Sequence, residues 1–158
     1  MVSFHPYTIS NDKLFFTSNF FCCAQLNVLV WSIEEIKDSQ HLLNEAKMGG
    51  AKGGRLEFLQ LLYTRGLVIE FSDAVSSAVA SGSVPLLEWL ESNDLCEIIG
   101  PYTIHPSYWI LSIAFKEIEM LKFLLQRYGE GNLNSDMDGF VSIARNMLEK
   151  NSNKPPST

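Results

Sequence analysis

Val84-Pro85-Leu86-Leu87-Glu88-Trp89-Leu90 recurs in this chain in altered form. Leu56-Glu57-Phe58-Leu59-Gln60-Leu61-Leu62 and Ile118-Glu119-Met120-Leu121-Lys122-Phe123-Leu124 lie over it residue for residue. Places one, three, four, six and seven are apolar in all three copies, and place five is polar (Gln60, Glu88, Lys122). At 3.6 residues per turn this pattern predicts a helix buried over a wide arc, with one side in solvent. The copies start 28 and 34 residues apart (84 − 56 and 118 − 84). Self-similarity in that range marks stacked structural repeats.

The flanking residues predict how each unit begins and ends. Pro85 falls in a first helical turn, where its missing N–H is not needed. Gly66, Asn93 and Gly129 follow the last turns, at places suited to a left-handed cap. Upstream of two copies runs a second helical pattern. One spans Ala74, Val75, Ala78 and Val79 behind a Ser72 or Asp73 cap; the other spans Trp109, Ile110, Ile113 and Ala114 behind Ser107. The unit is therefore a short helix, a tight turn, a longer helix and a connecting loop. Trp89 shares its register with Leu61 and Phe123, which predicts core packing.

That unit resembles the ankyrin repeat. The runs Ala51-Lys52-Gly53-Gly54-Arg55-Leu56-Glu57 and Ala78-Val79-Ala80-Ser81-Gly82-Ser83-Val84 carry the resemblance. So does Gly131 to Phe140, which looks like the finger loop leading into a next repeat. The likeness covers roughly residues 40 to 150. It is degenerate. The Thr-Pro-Leu-His signature is absent, with Ser107-Tyr108-Trp109-Ile110 and Val141-Ser142-Ile143-Ala144 in its place. Lys116-Glu117 replaces the usual glycine and histidine.

The totals suit one globular domain. The chain has 158 residues, 46% hydrophobic and 19% charged. Its net charge is −6, and lysines and arginines are scattered singly, which speaks against nucleic acid. Cys22, Cys23 and Cys96 have no disulfide-framework spacing, and the adjacent Cys22-Cys23 read as two small buried hydrophobes in preference to a vicinal bond or a soft-metal site.

Residues 14–33 are long enough for a membrane span, but Thr17, Ser18, Asn19, Gln25, Asn27 and Ser32 interrupt them. They read as a buried helix covering the first repeat, since the first unit of a stack has no outer neighbour. Anchoring of a repeat protein through 14–33 is the minor alternative. Residues 34–48 read as a further helix, which Ser39 could divide. Leu67 to Ser72 would be a strand in isolation and a connecting loop within a repeat array.

No catalytic or metal constellation is legible. His5, His41 and His105 are far apart. Met48-Gly49-Gly50-Ala51-Lys52-Gly53-Gly54 lacks the Ser or Thr that follows the lysine of a phosphate loop, and reads as a loose turn between helices. Asn132, Asn134, Asp136 and Asp138 alternate like calcium ligands. Counted from Asn132, however, the sixth and twelfth places hold Met137 and Ile143 instead of glycine and an acid.

The expected architecture is all-α: a short ankyrin-like helical-repeat solenoid of about three and a half helix pairs with an N-terminal capping helix. Its expected parts are a poorly ordered stretch 1–13, one domain over 14–150, and a disordered tail 151–158. Within the domain, 14–38 is the cap, and 39–66, 73–93, 107–129 and 138–150 are the repeats. The resemblance implies a module that binds a protein partner without catalysis. Expected alongside it are a monomeric chain in an intracellular, cytoplasmic setting and, from the missing motifs and the scattered basic residues, no cofactor, no metal and no nucleic acid. The other reading is a remnant or fragment of a longer array with a structural role only. By position in the repeat, the contact residues would be Glu70, Ser72, Asp73, Tyr102, Thr103, His105, Asn134, Asp136 and Met137.

Overall fold

Each of the three copied stretches opens a helix at its first residue. A computed structural model describes residues 16–95, 106–128 and 135–153. In it the copies are α4 (Leu56–Thr64), α6 (Val84–Ser92) and α8 (Ile118–Tyr128). Before them come α3 (Gln40–Lys52), α5 (Val75–Ala80) and α7 (Pro106–Ala114), with α1 (Ser18–Cys23) and α2 (Leu26–Ile36) at the start and α9 (Ser135–Ser152) at the end. A 3-10 turn, Ser72–Ala74, leads into α5. The described residues are helical with no strand. Val68 to Phe71 is a connection, held by its buried Val68 and Phe71 and by the Phe71 N–H, which donates to Leu95 O at 3.3 Å.

The same turn precedes each copy. Two residues before the helix, the backbone is left-handed: Gly54 at φ 62°, Gly82 at φ 69° and Lys116 at φ 56°. Their N–H groups donate to Ala51, Val79 and Ile113 at 3.0, 3.0 and 3.2 Å. The residues one place on, Arg55, Ser83 and Glu117, accept from Leu59, Leu87 and Leu121 at 3.1, 3.2 and 2.9 Å. Equivalent donors and acceptors therefore close the turn in all three units. After α4 and α6 the exits also match. Gly66 (φ 67°) and Asp94 (φ 52°) are left-handed, and Leu67 and Leu95 donate to Leu62 and Leu90 at 3.0 Å each. Thus the left-handed residue after α6 is Asp94; Asn93, expected in that conformation, lies at φ −107°. Gly129 lies outside the described residues.

Packing follows the same order. α1, α3, α5, α7 and α9 touch in succession, each against the next. On the other side α2 packs on α4 and α6 on α8, while α3 with α4, α5 with α6 and α7 with α8 form pairs. One apolar core threads the described chain, from Phe21 through Phe58, Leu86 and Met120 to Ala144. Phe58, Leu86 and Met120, third in each copy, are fully buried. Trp89 is half-buried, edge-on to Tyr63 and Phe71 with ring centroids 5.9 and 5.5 Å away.

Two stretches differ from the sequence expectation. Residues 14–33 do not make one helix. The backbone turns extended at Ala24 and Gln25 (ψ 153° and 151°), and the apolar run divides into α1 and α2. The division lets α1 lie on α3 while α2 lies on α4. The glycine-rich stretch is also no loose turn. Gly49 to Lys52 continue α3, and the turn is confined to Gly53, Gly54 and Arg55. A Cβ at Gly49 would overlap the Ser18 carbonyl oxygen, and one at Gly53 would press on Cys22 O. The two glycines, one turn apart, form the flat face on which α1 rests. α9 also starts earlier than the expected 138, at Ser135.

Candidate interaction groove

The connection from α4 to α5 passes beside the first turns of α3 and leaves a groove of about 390 Å³. α3 supplies Gln40, Leu43, Asn44 and Lys47 to it, and the connection supplies Gly66 to Glu70. Ser39 opens α3 by accepting from Leu42 N at 3.4 Å, a long cap, and this sets which side chains face the loop. Leu43 and Val68 are buried beneath the groove, and Ile69 stands 74% exposed at its edge.

Lys47 is the unusual lining residue. It lies nine residues before Leu56, the register place that Val75 and Trp109 hold before Val84 and Ile118. Those two are fully buried core residues. Lys47 is only 8% exposed in the same seat, and its ammonium lies 2.6 and 2.7 Å from the two carboxylate oxygens of Asp73. A charge in such a seat is tolerable only when paired. The pair also ties the connecting loop to α3, 26 residues away in sequence.

Of the residues expected at the contact surface, the structure brings three together here. Glu70, Ser72 and Asp73 are all exposed. The Ser72 hydroxyl donates to Glu70 Oε1 at 2.7 Å, so it does not cap α5. Tyr102, Thr103, His105 and Asn134 lie outside the described residues. Asp136 sits in the first turn of α9. Met137 points inward at 7% exposure and packs in the core, because α9 already begins at Ser135 and no open loop carries it. Gln40, Asn44, Lys47 and Ile69 were not singled out in the sequence. Lys47 alone had a usable signal, the mismatch with Val75 and Trp109.

Two other surfaces stand out. α2 buries Leu29, Ser32, Ile33 and Ile36 but leaves Leu26, Val28, Val30 and Trp31 open, with Trp31 at 52% exposure. Between α6 and α8, Tyr128 donates to Glu91 Oε1 at 2.7 Å, and Arg127 Nη2 lies 3.0 Å from Glu91 Oε2. Burial, then the bonded Glu91 carboxylate, pushes the Tyr128 phenol well above its ordinary pKa. Arg127 also lies over the Phe123 ring, 5.8 Å from its centroid.

The thiols are less buried than their reading as small hydrophobes implied. Cys22 is half-buried and Cys23 exposed, and neither is in a disulfide. Burial first, and then Cys23, raises the Cys22 pKa. Among the described residues no three His, Cys, Asp or Glu side chains converge on a metal-sized site. None of their helices is long and apolar enough to cross a membrane. No family model matches this chain, and no curated protein or solved structure matches it either.

Proposed function

We propose that this chain is a small ankyrin-like repeat module that binds a protein partner without catalysis. The observation that carries the reading is the left-handed turn, closed by equivalent hydrogen bonds, that precedes each of the three copied helices. Units of this kind bury their apolar faces only against neighbours, so the array is the stable object and its open side is free to bind. The groove beside α3 is the candidate surface, with Glu70 in its lining, Ser72 bonded to Glu70 and Asp73 bonded to Lys47. We place the protein in the cytoplasm as a monomer, where the free thiols of Cys22 and Cys23 are at home.

A photo-crosslinking amino acid at position 69 tests this in the source cell. A discrete adduct from position 69, with none from the exposed Glu88 of α6, supports the reading. Adducts from Glu88 alone place the binding surface elsewhere.

A second reading has its own observation. The open apolar residues of α2, Trp31 foremost, suit a longer array in which another unit covers them. In that case the chain is a segment with a structural role, and substituting Trp31 weakens assembly while leaving position 69 silent.

A further inference from the structure

We propose that the groove between α3 and the 66–70 connection holds an extended partner peptide carrying a basic residue beside an aliphatic one. The proposal rests on the binding-module reading above and narrows it to a ligand chemistry.

The first argument is an unused donor. A lysine ammonium has three N–H groups. Both short contacts of Lys47 run to Asp73, whose two oxygens can take two of them. No other acceptor bonds Lys47 among the described residues, so at least one N–H is left over in a side chain that is 10% exposed and lines the groove. Facing the open groove, that N–H meets solvent water, whose place a ligand acceptor can take. Asp73 already neutralises the ammonium, so the fitting acceptor is a neutral carbonyl and not a second anion. A peptide backbone presents one at every residue. The Gln40 and Asn44 amides, each both donor and acceptor, suit the adjoining peptide groups.

The second argument is charge at the rim. Glu70 and Asp73 are two carboxylates against the single cation Lys47, on a chain of net charge −6. Ser72 engages Glu70 Oε1, and none of the described residues bonds Oε2. A partner lysine or arginine beside that oxygen is favoured, and a partner carboxylate is repelled. Ile69, exposed next to Glu70, together with the half-buried Leu67, offers an apolar ledge for the neighbouring side chain. An exposed pairing of this type changes affinity only a few-fold.

The test is titration of the ¹⁵N-labelled full chain with acetyl-Leu-Arg-Leu-amide and with acetyl-Leu-Glu-Leu-amide. The arginine peptide is expected to move the side-chain amides of Gln40 and Asn44 and the backbone amides of Ile69 and Glu70. The glutamate peptide should leave them in place. Glu70→Gln, at an exposed site that leaves the fold intact, should weaken the arginine peptide by roughly two- to fivefold. Equal shifts from both peptides, or larger ones from the glutamate peptide, overturn the charge assignment while leaving the groove as a binding surface. Shifts confined to other regions, such as the neighbourhood of Trp31, overturn the site. No shift with either peptide overturns the proposal and also removes the support that the groove lends to the binding-module reading.

Discussion

Lys116 does the work of a glycine without being one. Its φ of 56° matches Gly54 and Gly82 in the other two units. A left-handed backbone costs a side-chain-bearing residue about 1–2 kcal/mol, part of which glycine gives back through its freer unfolded chain. Lys116→Gly is therefore expected to raise stability by about 1 kcal/mol, read as a denaturant midpoint that moves up at constant slope. Lys47 is the other residue out of pattern. Asp73→Ser alone leaves a nearly buried ammonium unpaired; with Asp73 itself half exposed, the loss should be about 1–2 kcal/mol. Lys47→Val with Asp73→Ser restores the residues found at the equivalent places in other units, Val75 and Ser107. The double variant should melt at or above the parent temperature yet bind the arginine peptide less tightly. A double variant much less stable than the parent would make Lys47 a structural necessity and not a groove residue.

At the scale of helices, the tie between α6 and α8 has a pH signature. The folded-state pKa of Tyr128 is raised above its unfolded value near 10. Below pH 10 both states keep the proton and the contribution is fully present. As pH rises further the unfolded chain ionises while the folded one does not, so stability falls across the alkaline range up to the folded pKa. Melting temperature should hold level up to about pH 10 and then decline. Tyr128→Phe should cost about 1 kcal/mol at neutral pH and flatten part of that decline. An unchanged alkaline slope in the variant assigns the effect to other groups. The α1–α3 contact shows how one local choice serves an element. Gly49 and Gly53 let two helix backbones meet, a role invisible in a stretch that could equally have been a turn.

For the whole molecule, equivalence of the three units is the testable property. Phe58, Leu86 and Met120 are each fully buried in one continuous core. Phe58→Ala, Leu86→Ala and Met120→Ala should each cost about 2–5 kcal/mol in equilibrium unfolding. A cost below about 1 kcal/mol at any one of them means that unit does not share the core. Phe58 should stand at the upper end, since it also stacks on Phe21 at 5.9 Å and so couples α4 to α1. Additivity should hold between the outer pair, Phe58 and Met120, if each unit touches only its neighbours.

The sequence by itself determined the helical class and the start of each copied helix, because a hydrophobic period acts within a few positions of itself. It also placed Glu70, Ser72 and Asp73 on one exposed connection. The tertiary structure alone decided that residues 14–33 divide at Ala24 and Gln25, that α9 starts at Ser135 and buries Met137, and that Lys47 meets Asp73. Each of these depends on what lies opposite in space. An apolar run does not say how many neighbours will cover it, and a lysine does not say which carboxylate, 26 residues on, will neutralise it.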